Sequence, residues 1–174
     1  IKKVDDYTIT VTTDGKFNEV LNGIPDWVNE EEFEYNRAFD FSADSKMLAY
    51  IRFDEREVPQ FSFPLYKGLV PEQQAYADYP GAYTYKYPVP GMKNSVPTVH
   101  TFDIKSRVTR QMQVPLEADG YIPRIKFTAN AEGLAIMTLN RHQDRLDIYM
   151  ANPRSTVCKL IIRDEAPQYI KTIA

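Results

Sequence analysis

The 174-residue chain is 43% hydrophobic and 26% charged, the composition of a folded domain with a sizeable core rather than of a disordered or membranous segment. A formal net charge of -3 and the lack of any dense Lys/Arg cluster exclude a nucleic-acid partner held through phosphates. The longest apolar runs, about four residues, exclude a membrane-spanning helix.

The chain begins at Ile1 rather than Met, so an upstream part is expected to have been removed and the chain reads as a fragment. Short alternating runs of aromatic and β-branched residues, separated by polar turns, predict an all-β fold. "YTITV" (7–11), "TTDGK" and "FNEVLN" (17–22) predict a hairpin whose Asp14-Gly15 pair supplies the positive φ angles of a tight turn. "IPDWVNEEEFEY" (24–35) follows, with Asp26, Glu30, Glu31, Glu32 and Glu34 all preceding the first base, Arg37. Such a run is ordinarily a solvated acidic turn, because a surface helix would set Lys or Arg four residues from each Glu, and Glu30 has only Glu34 there. A short helix is expected nonetheless, with Asn29 as its cap and Glu32 reaching back in a capping box.

"FDFSADSKMLAYIRFD" (39–54) and "IKFTANAEGLAIMTLN" (125–140) are internally similar, aligning Phe41 with Phe127, Ser42 with Thr128, Asp44 with Asn130 and Leu48 with Leu134. Each reads as strand, four-residue turn, strand. Each is followed by two more strands, "TVHTFDI" with "VTRQMQV" and "LDIYMA" with "VCKLII". Two successive units of four antiparallel strands predict consecutive β-propeller blades, and a two-sheet sandwich is the alternative. The units differ between their second and third strands. The second has a short link, Arg141 to Arg145, and the first an insert from Glu55 to Pro97, rich in proline and tyrosine. Inserts of that length are uncommon unless functional, and this composition suits an arm that docks on another surface.

The lone Cys158 has no partner for an internal disulfide and is expected to be a buried, inert thiol. His100 and His142 cannot assemble a metal site with the available Cys and carboxylates, so neither metal nor cofactor is expected. The sequence contains no G-x-S-x-G and no Gly-rich phosphate loop, and no catalytic residue is assigned within it.

"NGIPDWVNEEEF", "FDFSADSKMLAYIRFDEREVP" and "YPVPGMKNSVPTVHTFDI" resemble, in order and spacing, the propeller domain of the dipeptidyl peptidase IV family, serine exopeptidases of the prolyl oligopeptidase clan. The resemblance runs from about Tyr7 to Asp164. It implies about two complete four-stranded blades plus half of a preceding one, with a short helix carrying a Glu-Glu motif. The division it suggests is 1–22 as the end of one blade, 23–35 as a Glu-rich helical connection, 36–118 as a blade with an inserted arm at 55–97, 119–166 as the next blade, and 167–174 as the start of another. It further implies an exported enzyme that removes Xaa-Pro or Xaa-Ala dipeptides from free N-termini. Its catalytic triad would lie in a hydrolase domain of the full-length chain, and it would dimerise through the arm from about Val58 to Tyr87. In that family the second and third Glu of the run grip the substrate's N-terminal ammonium, which maps the role onto Glu31 and Glu32. A Tyr usual two positions before the pair is here Asn29, and an arginine that the family also turns to the amine comes from an earlier loop, upstream of Ile1.

The chemistry supports such a role apart from the resemblance. An exopeptidase measures its cut from a free amine, and two fixed carboxylates can accept all three N–H bonds of an ammonium, each worth roughly 1.5–3 kcal/mol net. Glu30 and Glu34 are then solvated neighbours, and Trp27 is expected in the core. A non-enzymatic propeller that binds peptides or proteins is the alternative. A glycosidase fits poorly, because adjacent carboxylates on one helix do not span a sugar.

Overall fold

The computed structural model describes residues 8–66, 79 and 81–171. Tyr7, Tyr76 and the end of the segment 167–174 lie outside the described residues, as does the arm between 67 and 78. Strands β1 (Val20–Asn22) and β2 (Phe39–Phe41) flank the only helix among the described residues, α1 (Trp27–Phe33), and share one antiparallel partner, β3 (Met47–Asp54). Val20, Leu21 and Asn22 lie opposite Asp54, Phe53 and Arg52, while Phe39, Asp40 and Phe41 lie opposite Tyr50, Ala49 and Leu48. The one β3 position between these runs is Ile51. Its carbonyl accepts from Gly23 N–H at 2.9 Å, its own N–H donates to the Ala38 carbonyl at 2.8 Å, and Ala38 N–H donates to the Gly23 carbonyl at 3.0 Å. β1 and β2 are therefore halves of one interrupted strand, and residues 24–37 are an excursion from its middle. The chain leaves the sheet at Gly23, where φ is +72°, a conformation a β-carbon would strain. β1 belongs to the segment that the sequence division sets at 1–22, and it pairs with the sheet of 36–118.

The Asp14-Gly15 hairpin does not form. Neither residue has a positive φ, and residues 8–11 form no strand. Arg52 Nε and Asn22 Nδ2 both donate to the Asp14 carboxylate, at 2.8 Å each, which removes it from a tight turn. The chain instead reverses over Lys16 to Val20, where the Lys16 carbonyl accepts from Glu19 and Val20 and Asn18 takes a φ of +64°.

After β3 come β4 (Gln60–Leu65) and β5 (Gly81–Lys86), which pair only with each other. The insert thus holds a two-stranded hairpin standing apart from the main sheets. Pro64 is tolerated in β4 because such a strand has a free edge. The main chain resumes in β6 (Val96–Asp103) and β7 (Val108–Gln111), completing a first sheet in the order β1/β2, β3, β6, β7. The second sheet follows as a plain meander of β8 (Tyr121–Phe127), β9 (Leu134–Leu139), β10 (Arg145–Ala151) and β11 (Cys158–Glu165).

The internal repeat is visible in the hydrogen bonds of its turns. Ser42 N–H donates to Met47 O as Thr128 N–H does to Gly133 O, and Asp44 Oδ1 accepts from Lys46 N–H as Asn130 Oδ1 does from Glu132 N–H. The sheets pack face to face. Met47, Ala49, Ile51 and Phe53 alternate inward from β3 and meet Ile122, Ile125, Phe127, Leu134 and Ile136 of the second sheet in one buried cluster. Polar ties cross the same interface. Asp40 accepts from Phe127 N–H at 2.8 Å and from Lys126 Nζ at 3.0 Å, Thr101 Oγ1 donates to Pro153 O at 2.8 Å, and Arg154 pairs with Asp103. Ser106 N–H and then Arg154 hold the Asp103 carboxyl down at about 2. Cys158 is half-buried at the margin of the core rather than fully buried, because its strand is the outer edge of the second sheet. Burial still pushes its thiol upward, away from the reactive thiolate.

Candidate functional site

Helix α1 is capped by Asp26, not by Asn29. Asp26 has extended backbone, and its Oδ1 accepts from Asn29 N–H at 2.9 Å and Asn29 Nδ2 at 2.7 Å. Its Oδ2 accepts from Ser95 Oγ, just before β6. The cap is therefore three residues earlier than the sequence suggests, and Asn29 is the third helical residue, 3% exposed, with Tyr35 OH donating to its Oδ1 at 3.2 Å. Glu32 consequently makes no capping box. The physical reason lies in the fold: Ser95, distant in sequence, selects Asp26 and buries it. Burial, and then the Asp26 charge, pushes the Tyr35 phenol well above its usual range, so it remains a neutral donor. At the other end Glu34 takes a left-handed conformation, φ 54°, which stops the helix.

This short helix has distinct faces. Asn29 and Phe33 point inward, and Phe33 packs edge-on against Tyr121 at 5.6 Å and beside Leu139 of the second sheet. Glu30 and Glu34 turn to an open groove of about 740 Å³ between α1 and the second sheet, also lined by Arg37, Asp40, Arg124 and Lys126. Trp27 and Glu31, four residues apart, share the face turned away from the core. Glu32 stands next to Glu31 on the exposed surface. The structure thus places Glu31 and Glu32 side by side on one capped helical turn and leaves both open to solvent. Among the described residues, none of Glu30, Glu31, Glu32 and Glu34 has an ion-pair partner within 4.0 Å. Trp27 is not in the core. It is half-buried and packs at a tilt of 55° against Tyr87 of the arm, ring centroids 4.2 Å apart.

Two features of the site escape sequence reading. Glu55, at the end of β3, is only 5% exposed, and burial, then the nearby Asp26 charge, pushes its carboxyl up to about 7 against the opposing influence of Lys86 and Asn18 N–H. The arm root is fastened beside it. Asn18 Nδ2 donates to Thr84 O at 3.0 Å and Asn18 Oδ1 accepts from Lys86 N–H at 3.1 Å, while Lys86 Nζ caps the carbonyls of Val58 and Arg56. The only sequence signals were an acidic residue closing an apolar strand and a polar Asn ahead of β1. Among the described residues no cluster of His, Cys, Asp or Glu is placed to hold a metal, and His100 stacks on Tyr50 within the first sheet. No helix among those residues is long and apolar enough to cross a membrane.

Fold and site together define a repeat-built antiparallel β protein that presents an acidic helical surface. The sequence profile described as "Dipeptidyl peptidase IV (DPP IV) N-terminal region" matches residues 1–173, and the chain belongs to that family. It is 33% identical over 156 residues to dipeptidyl peptidase 4 of Trichophyton equinum, covering 86% of this chain and 20% of that protein. It is 30% identical over 161 residues to dipeptidyl-aminopeptidase B of Aspergillus niger, covering 88% of this chain and 18% of that protein. The crystal structure of Porphyromonas gingivalis dipeptidyl peptidase 4 superposes with a TM-score of 0.88 at 45% identity, covering 95% of this chain and 22% of that one. The chain therefore spans about a fifth of the length of the relatives it matches.

Proposed function

We propose that this chain is the substrate-gating part of the β-propeller of an exported serine dipeptidyl peptidase, one that removes Xaa-Pro and Xaa-Ala dipeptides from peptides with a free N-terminus. The two main sheets are its consecutive blades, and β4 and β5 are the root of an arm that pairs two copies of the enzyme through exposed aromatics such as Phe61, Phe63 and Tyr83. Glu31 and Glu32 anchor the substrate ammonium, while the nucleophile and its partners belong to a hydrolase domain of the full-length chain. The observation that carries this reading is the pair itself: two adjacent carboxylates, without an ion-pair partner among the described residues, on a helix whose buried cap is hydrogen-bonded to Asn29 within the helix and to Ser95 in the loop before β6.

The capped helix fixes the backbone from which the two carboxylates project, so the ordering cost on binding an ammonium falls on their side chains alone. They do not lower an acyl-transfer barrier by themselves, and the 174-residue chain alone should show no turnover. The full-length enzyme should cleave a Gly-Pro chromogenic substrate with a free amine and leave its N-acetylated form intact. Its kcat/KM should fall as the amine deprotonates above pH ~8. Equal rates on the free and acetylated substrates would overturn the assignment.

A further inference from the structure

The arm and the acidic helix meet through an aromatic row. Phe63 stacks on Tyr85 at 5.4 Å, Tyr85 meets Tyr87 edge-on at 6.1 Å, and Tyr87 closes on Trp27 at 4.2 Å. Trp27 is the first residue of α1 and Glu31 lies one helical turn further on along the same face, so the ring that meets the arm and the carboxylate share that face. The hydrogen bonds of Asn18 to both neighbours of Tyr85 and the Tyr87 N–H bond to Pro59 O at 2.9 Å fix the arm root at this point. The Tyr85 hydroxyl is pushed up first by burial, then by Tyr87, Tyr83 and Glu31, so it lies within the field of the Glu31 charge and stays a neutral donor.

We propose that Tyr87, with Tyr85 beside it, is a positioning residue for the ammonium site: by packing its ring against Trp27 it fixes the face of α1 that bears Glu31, so the arm sets substrate affinity from within the same chain. This rests on the amine-anchoring reading of Glu31. An aromatic contact of this kind restricts a seven-residue helix that is too short to be rigid through its own hydrogen bonds. The arm then has an influence on catalysis separable from any contact it makes with a second copy.

The test is steady-state kinetics of the full-length enzyme on a free-amine Gly-Pro substrate, comparing wild type with Y87A, Y87L, Y87F, E31Q and the double variant Y87A/E31Q, with sedimentation of each. Y87A and Y87L should raise KM about tenfold with kcat within about twofold and the oligomeric state unchanged, while Y87F, which keeps the ring, should restore wild-type KM. In the E31Q background Y87A should add less than about twofold, because the carboxylate it positions has gone. Wild-type KM in Y87L, or a full tenfold effect of Y87A persisting beside E31Q, rejects the positioning role while leaving the amine site standing. Wild-type KM in E31Q removes the amine site and this proposal with it.

Discussion

The two main sheets run the same strand order from similar sequences, yet one carries two excursions and the other none. The second sheet passes from β9 to β10 through a short turn, Asn140 to Asp144, with Asn140 Oδ1 accepting from Asp144 and Arg145. The first sheet opens its edge strand between Gly23 and Ala38 to release α1, and opens again after β3 to release the arm. Both excursions return to the same place, where Trp27 meets Tyr87 and Glu55 lies buried beneath. The contrast separates framework from elaboration: both repeats share the core, and the proposed site sits in segments that one repeat has and the other lacks.

The contrast can be broken first at Asp26. Asp26→Ala leaves Asn29 N–H and Ser95 Oγ without their acceptor, which should cost about 2–4 kcal/mol and fall on the excursion rather than the framework. Hydrogen exchange should rise across α1 while β8 to β11 keep wild-type protection. Uniform loss of protection in both sheets would show that excursion and framework unfold as one unit.

Glu55 sharpens the comparison through pH. Its folded carboxyl keeps a proton up to about 7, while the unfolded one releases it near the ordinary glutamate value of 4.5. Folding therefore takes up a proton between those values, and the stability held below about 4.5 is lost as the pH rises through about 7. Glu55→Gln should abolish this pH dependence and stabilise the protein by about 1–3 kcal/mol above pH 7. Asp26→Ala should lower the Glu55 carboxyl, since the Asp26 charge is one of the causes that raise it. Denaturant melts of both variants from pH 4 to pH 8 measure this, and an unchanged slope in Glu55→Gln would assign the dependence to another group.

Legibility in the sequence followed the range of the forces involved. The repeat could be read because its turns are closed locally, by Ser42 and Asp44 in one unit and Thr128 and Asn130 in the other. The interrupted strand could not, since Gly23 and Ala38 become one sheet position only by sharing Ile51. The cap was misplaced because Asp26 and Asn29 both have capping side chains, and Ser95, 69 residues away, decides between them. The turn at Asp14-Gly15 failed for a similar reason, its carboxylate being drawn to Arg52 across 38 residues. The adjacency of Glu31 and Glu32 is plain in the sequence, but the meeting of their helix with the arm depends on the contact between Trp27 and Tyr87, which no local pattern encodes.

The central claim is that the acidic helix holds a substrate ammonium, and the most direct measurement is kcat/KM of the full-length enzyme carrying Glu31→Gln or Glu32→Gln beside Glu30→Gln. Removing one partner of a charge pair that becomes buried on binding costs about 3–5 kcal/mol, roughly a hundred- to several-thousand-fold in kcat/KM. Each of Glu31→Gln and Glu32→Gln should show that loss on a free-amine dipeptidyl substrate, while Glu30→Gln, which faces the neighbouring groove, should stay within a few-fold of wild type. Folded Glu31→Gln and Glu32→Gln enzymes with wild-type kcat/KM would contradict the account and leave the acidic run a solvated helix face.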